Sequence, residues 1–146
     1  MRGTPVTRVL IIDDDPAILQ LASLSLSFEG METLTSSDAV HGVEMAIEGQ
    51  PDVIVLDWML PVMDGLTALR ALKDDATTAH IPVIMLTARS SSHDRLDGWL
   101  TGASAHVGKP FALDELTSTV RKLAAMSAAD HHAHRNDVLG RLRELA

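Results

Sequence analysis

Residues that could do chemistry follow four of the apolar runs in this sequence. They are an aspartate triplet at 13–15, Asp57, Thr87 and Lys109. In parallel α/β sheets, ligands collect at the carboxyl ends of strands, and each of these residues stands at such a position. Carboxylates that meet at one sheet edge repel one another unless a cation lies among them. Oxygen ligands without His or Cys favour Mg²⁺ or Mn²⁺, and the predicted ligands are Asp13, Asp14 and Asp57. Asp15, which precedes Pro16, is instead expected to cap a helix.

Asp57 is the candidate nucleophile of this set. A carboxylate oxygen beside a divalent ion can attack phosphorus and form an acyl phosphate. Thr87 offers a hydroxyl donor and Lys109 a cation, which are the groups that phosphoryl oxygens require. A threonine at a strand end or a single lysine is ordinary when considered alone. Their combination at matching strand ends predicts phosphoryl chemistry.

The elements that position these residues are predicted from hydrophobic patterning. Short apolar runs alternate with stretches of helical periodicity, which gives five βα units within residues 7–126. Near-continuous apolar strands indicate a parallel sheet covered on both faces. Right-handed crossovers then predict a single doubly wound α/β domain.

Composition excludes several other classes of protein. The chain has 146 residues, no cysteine, and 12 basic against 20 acidic side chains, for a net charge of −8. Disulfide frameworks and thiolate metal sites are therefore excluded. An acidic body disfavours direct nucleic-acid binding, which depends on phosphate neutralisation. No apolar run is long enough for a membrane span or a signal peptide, so we expect a cytoplasmic protein without membrane contact.

The end of the sequence departs from this pattern. Residues 127–137 are polar and rich in histidine, and we predict a linker there. Residues 138–146 place Val138, Leu139, Leu142 and Leu145 on one helical face. This amphipathic helix is expected to serve in signalling or dimerisation, or to begin an output domain outside the sequence. The histidines at 131, 132 and 134 are expected to be exposed rather than metal ligands.

At its polar residues the sequence resembles the receiver domains of two-component response regulators. The matching segments are Ile12-Asp13-Asp14-Asp15-Pro16, Asp57 through Pro61 to Met63-Asp64-Gly65, Leu86-Thr87-Ala88, Gly102-Ala103 and Lys109-Pro110-Phe111. The resemblance covers about residues 7–126, in order and at family spacing. It implies a flavodoxin-like (βα)5 fold with strand order 2-1-3-4-5.

The resemblance also implies a role for each site residue. Asp57 would accept a phosphoryl group from a histidine kinase or a histidine phosphotransfer protein. Asp14, Asp57 and the main-chain carbonyl of Met59 would bind Mg²⁺ directly, and Asp13 would act mainly through a water. Because only X-Pro bonds adopt the cis form cheaply, Lys109-Pro110 is expected to be cis.

The same resemblance implies a switch and an output surface. Thr87 and Lys109 would be drawn toward the phosphoryl oxygens, and His106 would rotate into the space that Thr87 vacates. The partner surface is expected on helix 4, strand 5 and helix 5, with Leu96, Trp99 and Leu100 as apolar contacts. Trp99 could anchor an interface or be buried in its own domain. An effector, an output domain or a second copy of the chain could bind there.

Two alternatives to a phosphoacceptor switch remain open from the sequence alone. A haloacid dehalogenase-like phosphatase also uses an aspartyl phosphate, Mg²⁺ and a Thr/Lys pair. That family carries its nucleophile in an Asp-x-Asp-x-Thr/Val motif on the first strand, and Asp13-Asp14-Asp15-Pro16-Ala17 lacks the final residue. The second alternative is an adaptor that works without phosphorylation, although the set of site residues is complete.

Overall fold

The computed structural model describes residues 6–88 and 92–145. In chain order its elements are β1 (Arg8–Ile12), α1 (Pro16–Phe28), β2 (Glu32–Ser36), α2 (Ala39–Gly49), β3 (Val53–Asp57), α3 (Gly65–Asp74), β4 (Val83–Thr87), α4 (Ser92–Thr101), β5 (Ala105–Gly108), α5 (Leu113–Ala125) and α6 (Ala128–Leu145). Within the described ranges, no helix is both long and apolar enough to cross a membrane.

The five strands form one parallel sheet in the order β2-β1-β3-β4-β5. The predicted doubly wound α/β fold and its strand order are therefore confirmed. The central strands β3 and β4 are buried along their whole length. Their side chains alternate between two apolar clusters, one for each face of the sheet. The inner strands are almost wholly apolar because helices cover both faces.

Aspartates begin three of the helices on the polar edge of the sheet. Asp15 accepts a hydrogen bond from the amide of Ala17 at 2.9 Å, as predicted for the cap of α1. Asp64 caps α3 in the same way through the amide of Thr67, at 2.8 Å. These caps satisfy amides that the first helical turn leaves without partners. They fix where each loop ends and each helix begins beside the site.

The prediction of a linker over residues 127–137 is wrong as to secondary structure, because α6 is continuous from Ala128 to Leu145. The Ser127 hydroxyl accepts from the amide of Asp130 at 3.1 Å, and the Asp130 carboxylate accepts from the amide of Ser127 at 3.1 Å. This reciprocal arrangement is a capping box, and alanines with high helix propensity follow Ser127. Polar composition suggested a linker, but the Ser-x-x-Asp spacing was the signal for a helix.

Candidate functional site

Three aspartates converge at the carboxyl edge of the sheet. Asp13 follows β1 and is fully buried, Asp57 ends β3 and is 3% exposed, and Asp14 is exposed. One carboxylate oxygen from each lies within 4.8 Å of the others. The sheet order explains this convergence, since β1 and β3 are neighbours and both end here. The structure thus brings together the three predicted carboxylate ligands.

Lys109 reaches into this cluster from the end of β5. Its Nζ donates to Oδ2 of Asp13 at 2.9 Å and lies 3.1 Å from Oδ2 of Asp57. The lysine side chain is 21% exposed, whereas both carboxylates are almost wholly covered. One cation therefore partly compensates two buried negative charges. Such compensation is needed because a buried unpaired carboxylate is strongly disfavoured.

The surroundings of the cluster shift the pKa values of Asp57 and Lys109. Burial, and then the charge of Asp13, raise the pKa of Asp57, although Lys109 acts in the opposite direction. For Lys109, burial alone would lower the pKa. The hydrogen bond and charge of Asp13, together with Asp57, outweigh burial, so the pKa of Lys109 is raised. The site therefore holds a firmly protonated lysine beside a carboxylate that a further cation would stabilise.

Thr87 lies at the last position of β4, next to the strand that carries Asp57. Its side chain is buried, with 4% exposure, and it pairs in register with Gly108 on β5. The Thr87 carbonyl accepts from the Lys109 amide at 2.8 Å. This hydrogen bond fixes the start of the Lys109 loop relative to β4. Thr87 and Lys109 thus lie on adjacent strand ends, as the sequence predicted.

Hydrogen bonds and a close main-chain contact fix the loop that runs from Asp57 to α3 beside the site. The amide of Met59 donates to Oδ1 of Asp57 at 3.3 Å. The amide of Gly65 donates to the Trp58 carbonyl at 2.9 Å. A methyl group added at Gly65 would overlap the main-chain carbonyl oxygen of Asp57 and lie 2.7 Å from Cα of Trp58. Only glycine fits this close approach of α3 to the acceptor strand.

An apolar groove opens beside Lys109. The Lys109-Pro110 peptide bond is cis, as predicted. The groove has a volume of about 490 Å³ and lies between α1 and the segment that follows β5. Its lining consists of Ile18, Leu21, Ala88, Lys109, Pro110, Phe111 and Leu113. The groove was not predicted from the sequence, because helical periodicity does not show which apolar side chains of α1 stay exposed, and Leu21 is 52% exposed.

His106, the predicted switch residue, lies on β5 opposite Met85 of β4. Its side chain is half-buried and points toward α4. A methyl group added to Gly98 of α4 would overlap the imidazole. The ring of Trp99 lies 5.3 Å from the imidazole centroid and is tilted by 52°. The His106 side chain thus packs directly against α4.

Of the two readings that the sequence left open for Trp99, an exposed interface anchor is not the arrangement in this structure. Trp99 is only 6% exposed because α6 covers it with Leu139, Val138 and the His134 ring. The other reading, burial within the same chain, is the one observed. Leu100 is 52% exposed on the same helix. The side chain of Leu96, the third predicted contact, lies outside the described residues.

Comparisons with known proteins agree with this geometry. The family model of the response regulator receiver domain matches residues 9–121. The chain is 44% identical over 116 residues to the DNA-binding dual master transcriptional regulator RpaA of Synechocystis. The aligned region covers 80% of this chain and 48% of RpaA. It is 39% identical over 126 residues to the response regulator MprA of Mycobacterium leprae. That alignment covers 86% of this chain and 54% of MprA.

Solved structures also resemble most of the chain. The chemotaxis response regulator CheY4 of Vibrio cholerae superposes with a TM-score of 0.78 at 29% identity, covering 82% of this chain and 99% of that one. The chain spans about half the length of RpaA and MprA. The family match favours neither the phosphatase nor the adaptor alternative. With five parallel strands in this order and an aspartate cluster at their carboxyl edge, the chain belongs to the receiver domains of two-component response regulators.

Proposed function

We propose that this chain is a phosphorylation-activated switch whose acceptor is Asp57. Receiver domains are signalling switches rather than classical enzymes. The observation that carries the proposal is the convergence of buried Asp57 with Asp13, Asp14 and the Lys109 ammonium at one sheet edge. The donor is a histidine kinase or a histidine phosphotransfer protein. We also propose that residues 7–126 are the receiver unit and that it works in the cytoplasm, where such donors would meet it.

The transfer itself is a displacement at phosphorus. An oxygen of Asp57 attacks the phosphorus of the donor phosphohistidine, and an O–P bond forms as the P–N bond breaks. The electron pair of the broken bond leaves with the donor imidazole nitrogen, which takes up a proton. The hydrogen bond from the Met59 amide to Oδ1 orients the Asp57 carboxylate and leaves its other oxygen toward Lys109. Positioning of this kind is the main protein contribution to phosphoryl transfer.

Mg²⁺ fits the donor set of this site. Three carboxylate oxygens close together, with no nitrogen or sulfur ligand among them, suit a hard divalent cation. We propose that Asp14, Asp57 and the Met59 carbonyl bind the ion directly and that Asp13 acts through a water. Mn²⁺ would fit the same ligands. When bound, the cation would supply positive charge that offsets the charge on the transferring group.

Phosphorylation would change the partners of the polar residues at the strand ends. The acyl phosphate carries about two negative charges where the carboxylate carried one, and it adds new acceptor oxygens. Lys109 would exchange its contact with the Asp57 carboxylate for the phosphoryl oxygens, and the Thr87 hydroxyl would donate to them. His106 would then turn toward the space beside Thr87. The consequence is a change at β5 and α4, two strands away from the acceptor strand β3.

The donor protein would dock on the apolar groove beside Lys109. The groove lies between α1 and the segment after β5, next to the acceptor edge, and Leu21 exposes half of its surface there. A helix with an apolar face is the partner chemistry that such a groove accepts. Docking at this position would bring a phosphohistidine to the carboxylates. Output through an effector, an output domain or a second copy would then use the α4 side, and no nucleic acid would be contacted directly by this acidic chain.

Intact mass after incubation with acetyl phosphate and Mg²⁺ tests this function. We expect one added phosphoryl group on the wild-type chain and none on Asp57→Asn. Asp74→Asn is the matched control, because Asp74 is exposed on α3 and lies outside the cluster. Phosphorylation of Asp57→Asn at the wild-type level, or none of the wild type, would contradict the proposal. Continued turnover of a phosphomonoester would instead indicate a phosphatase.

A further inference from the structure

Helix α6 lies on α4 rather than apart from the domain. Two residues, Met126 and Ser127, separate its start from the end of α5 at Ala125. Its residues Val138 and Leu139 form a small apolar cluster with Trp99 of α4, separate from the two clusters that cover the sheet. Leu139 is 8% exposed and Trp99 is 6% exposed. The contact thus buries most of both side chains while adding little to the main core.

Three rings connect α6 with the sheet. His106 on β5 lies 5.3 Å from Trp99, measured between ring centroids. On its other side Trp99 meets the ring of His134 on α6, at 5.9 Å and an interplanar angle of 68°. Such tilted and edge-on arrangements are favourable contacts between rings. Trp99 therefore lies between the proposed switch residue and the terminal helix.

Further contacts join α6 to the domain. Near its start, Nε2 of His131 lies 3.1 Å from the Leu123 carbonyl oxygen of α5. Farther along, the contacts of its described side chains include the His134 ring and the small cluster of Val138, Leu139 and Trp99. Trp99 is the common partner of these three α6 side chains, so a displacement of its ring acts on all of them at once.

We propose that α6 is an intramolecular latch on α4, and that movement of His106 releases it. The proposal rests on the proposed function, because phosphorylation of Asp57 is what would move His106. Before phosphorylation, α6 of the same chain covers the output surface on α4. In the unphosphorylated protein α6 covers Trp99, and after phosphorylation the face of α4 becomes available to an effector or a second copy.

The direction of the effect follows from the packing. The His106 ring fills the space against Gly98, where even a methyl group would overlap it. When the ring leaves, Trp99 loses the surface on which it rests and can follow into the vacated space. Leu139 and His134 then lose their common partner. By thermodynamic reciprocity, anything that detaches α6 also makes phosphorylation more favourable.

Hydrogen–deuterium exchange of the peptide backbone, followed by mass spectrometry, tests the latch. Acetyl phosphate with Mg²⁺ should speed exchange in residues 128–145 about fivefold or more in the wild type and leave it unchanged in Asp57→Asn. Strand β1 serves as the internal reference for global stability. If intact mass shows a phosphoryl group on Asp57 and α6 exchanges as before, the latch is refuted while the proposed function stands.

Variants of the unphosphorylated chain decide the question independently of phosphorylation. His106→Ala should speed exchange in α6, whereas His106→Phe, which keeps a ring beneath Trp99, should preserve slow exchange. Leu139→Gln should release α6, and Ala133→Gln, at an exposed position of the same helix, should not. Slow exchange in α6 of both His106→Ala and Leu139→Gln would overturn the latch. If acetyl phosphate fails to modify any chain, the proposed function fails and these variants still test the contact.

Discussion

The ammonium nitrogen of Lys109 lies 3.1 Å from Oδ2 of Asp57, at the junction of two strand ends. It also binds the buried carboxylate of Asp13, at 2.9 Å. Removing the lysine would therefore leave two covered carboxylates without their common cation. This residue therefore partly offsets the charge of the two carboxylates before any metal binds.

We expect Lys109→Ala to lower the free energy of unfolding by about 1–3 kcal/mol in the absence of divalent ions. Mg²⁺ should restore part of the loss, because a cation among the carboxylates replaces the missing charge. Urea denaturation with and without Mg²⁺ measures both effects. Lys122→Ala, at an exposed position of α5, is the control and should change stability by less than about 0.5 kcal/mol. Equal stability of both variants would mean that Lys109 does not balance the cluster.

Mg²⁺ should stabilise the unmodified protein. An ion that binds only the folded chain stabilises it by about 2.7 kcal/mol when its concentration is 100 times Kd. Thermal unfolding in a Mg²⁺ titration should therefore show a rising Tm. Asp14→Asn should weaken the response because it removes an exposed carboxylate of the cluster. Asp74→Asn should respond like the wild type, and a Tm independent of Mg²⁺ would argue against a metal site here.

Gly65→Ala should destabilise the loop that supports the acceptor. The added methyl group would overlap the Asp57 carbonyl oxygen, and neither main-chain segment can move without shifting β3 or α3. Overpacking of this kind costs about 1–3 kcal/mol. Gly140→Ala is the comparison, because no described atom outside the adjoining part of its own helix lies within 4 Å of the new methyl group. If denaturation gives the same stability for Gly65→Ala and the wild type, the close approach of α3 is not required.

The acceptor edge could be predicted from sequence because strand ends and side-chain chemistry are local properties. Asp13, Asp57 and Lys109 follow apolar runs, and parallel strands bring such ends to one edge whatever the details of packing. The structure therefore agrees with the predicted sheet order and brings these side chains together. The hydrogen-bond partners of Lys109 could not be predicted, because nothing in the sequence indicates that a single lysine binds two aspartates.

The terminal helix could not be predicted in the same way because its position depends on a nonlocal contact. The periodicity of Val138 and Leu139 indicated an apolar face, but not what covers it. Trp99 was open to two readings because an indole on a helix suits both an interface and a core. Only the path of the chain after Met126 decides between them, by placing Leu139 on Trp99. The helix start was readable in principle from the Ser127 and Asp130 pair.

Acid should detach α6 through His131. Its ring faces the Leu123 carbonyl of α5, Lys73 of α3, and Asp130 and His134 of α6, and shares a cavity with His80 and His132. Burial, with the charges of Lys73 and His134, lowers the pKa of His131 below its ordinary value of 6.5, although the Leu123 carbonyl and Asp130 oppose this shift. The docked state thus binds fewer protons than the detached one. Its stabilisation by His131 is complete above pH 6.5 and is lost as the pH falls.

Fluorescence of Trp99 can follow this detachment once the other tryptophan is removed by Trp58→Phe. Between about pH 8 and about pH 5.5 we expect the Trp99 emission to shift to longer wavelength as water reaches the indole. In the same background His131→Gln should flatten the profile, because it removes the titrating ring. His106 and His134 contact Trp99 and are present in both proteins, so the difference between the two profiles isolates His131. Identical profiles would show that protonation of His131 does not control the docking of α6.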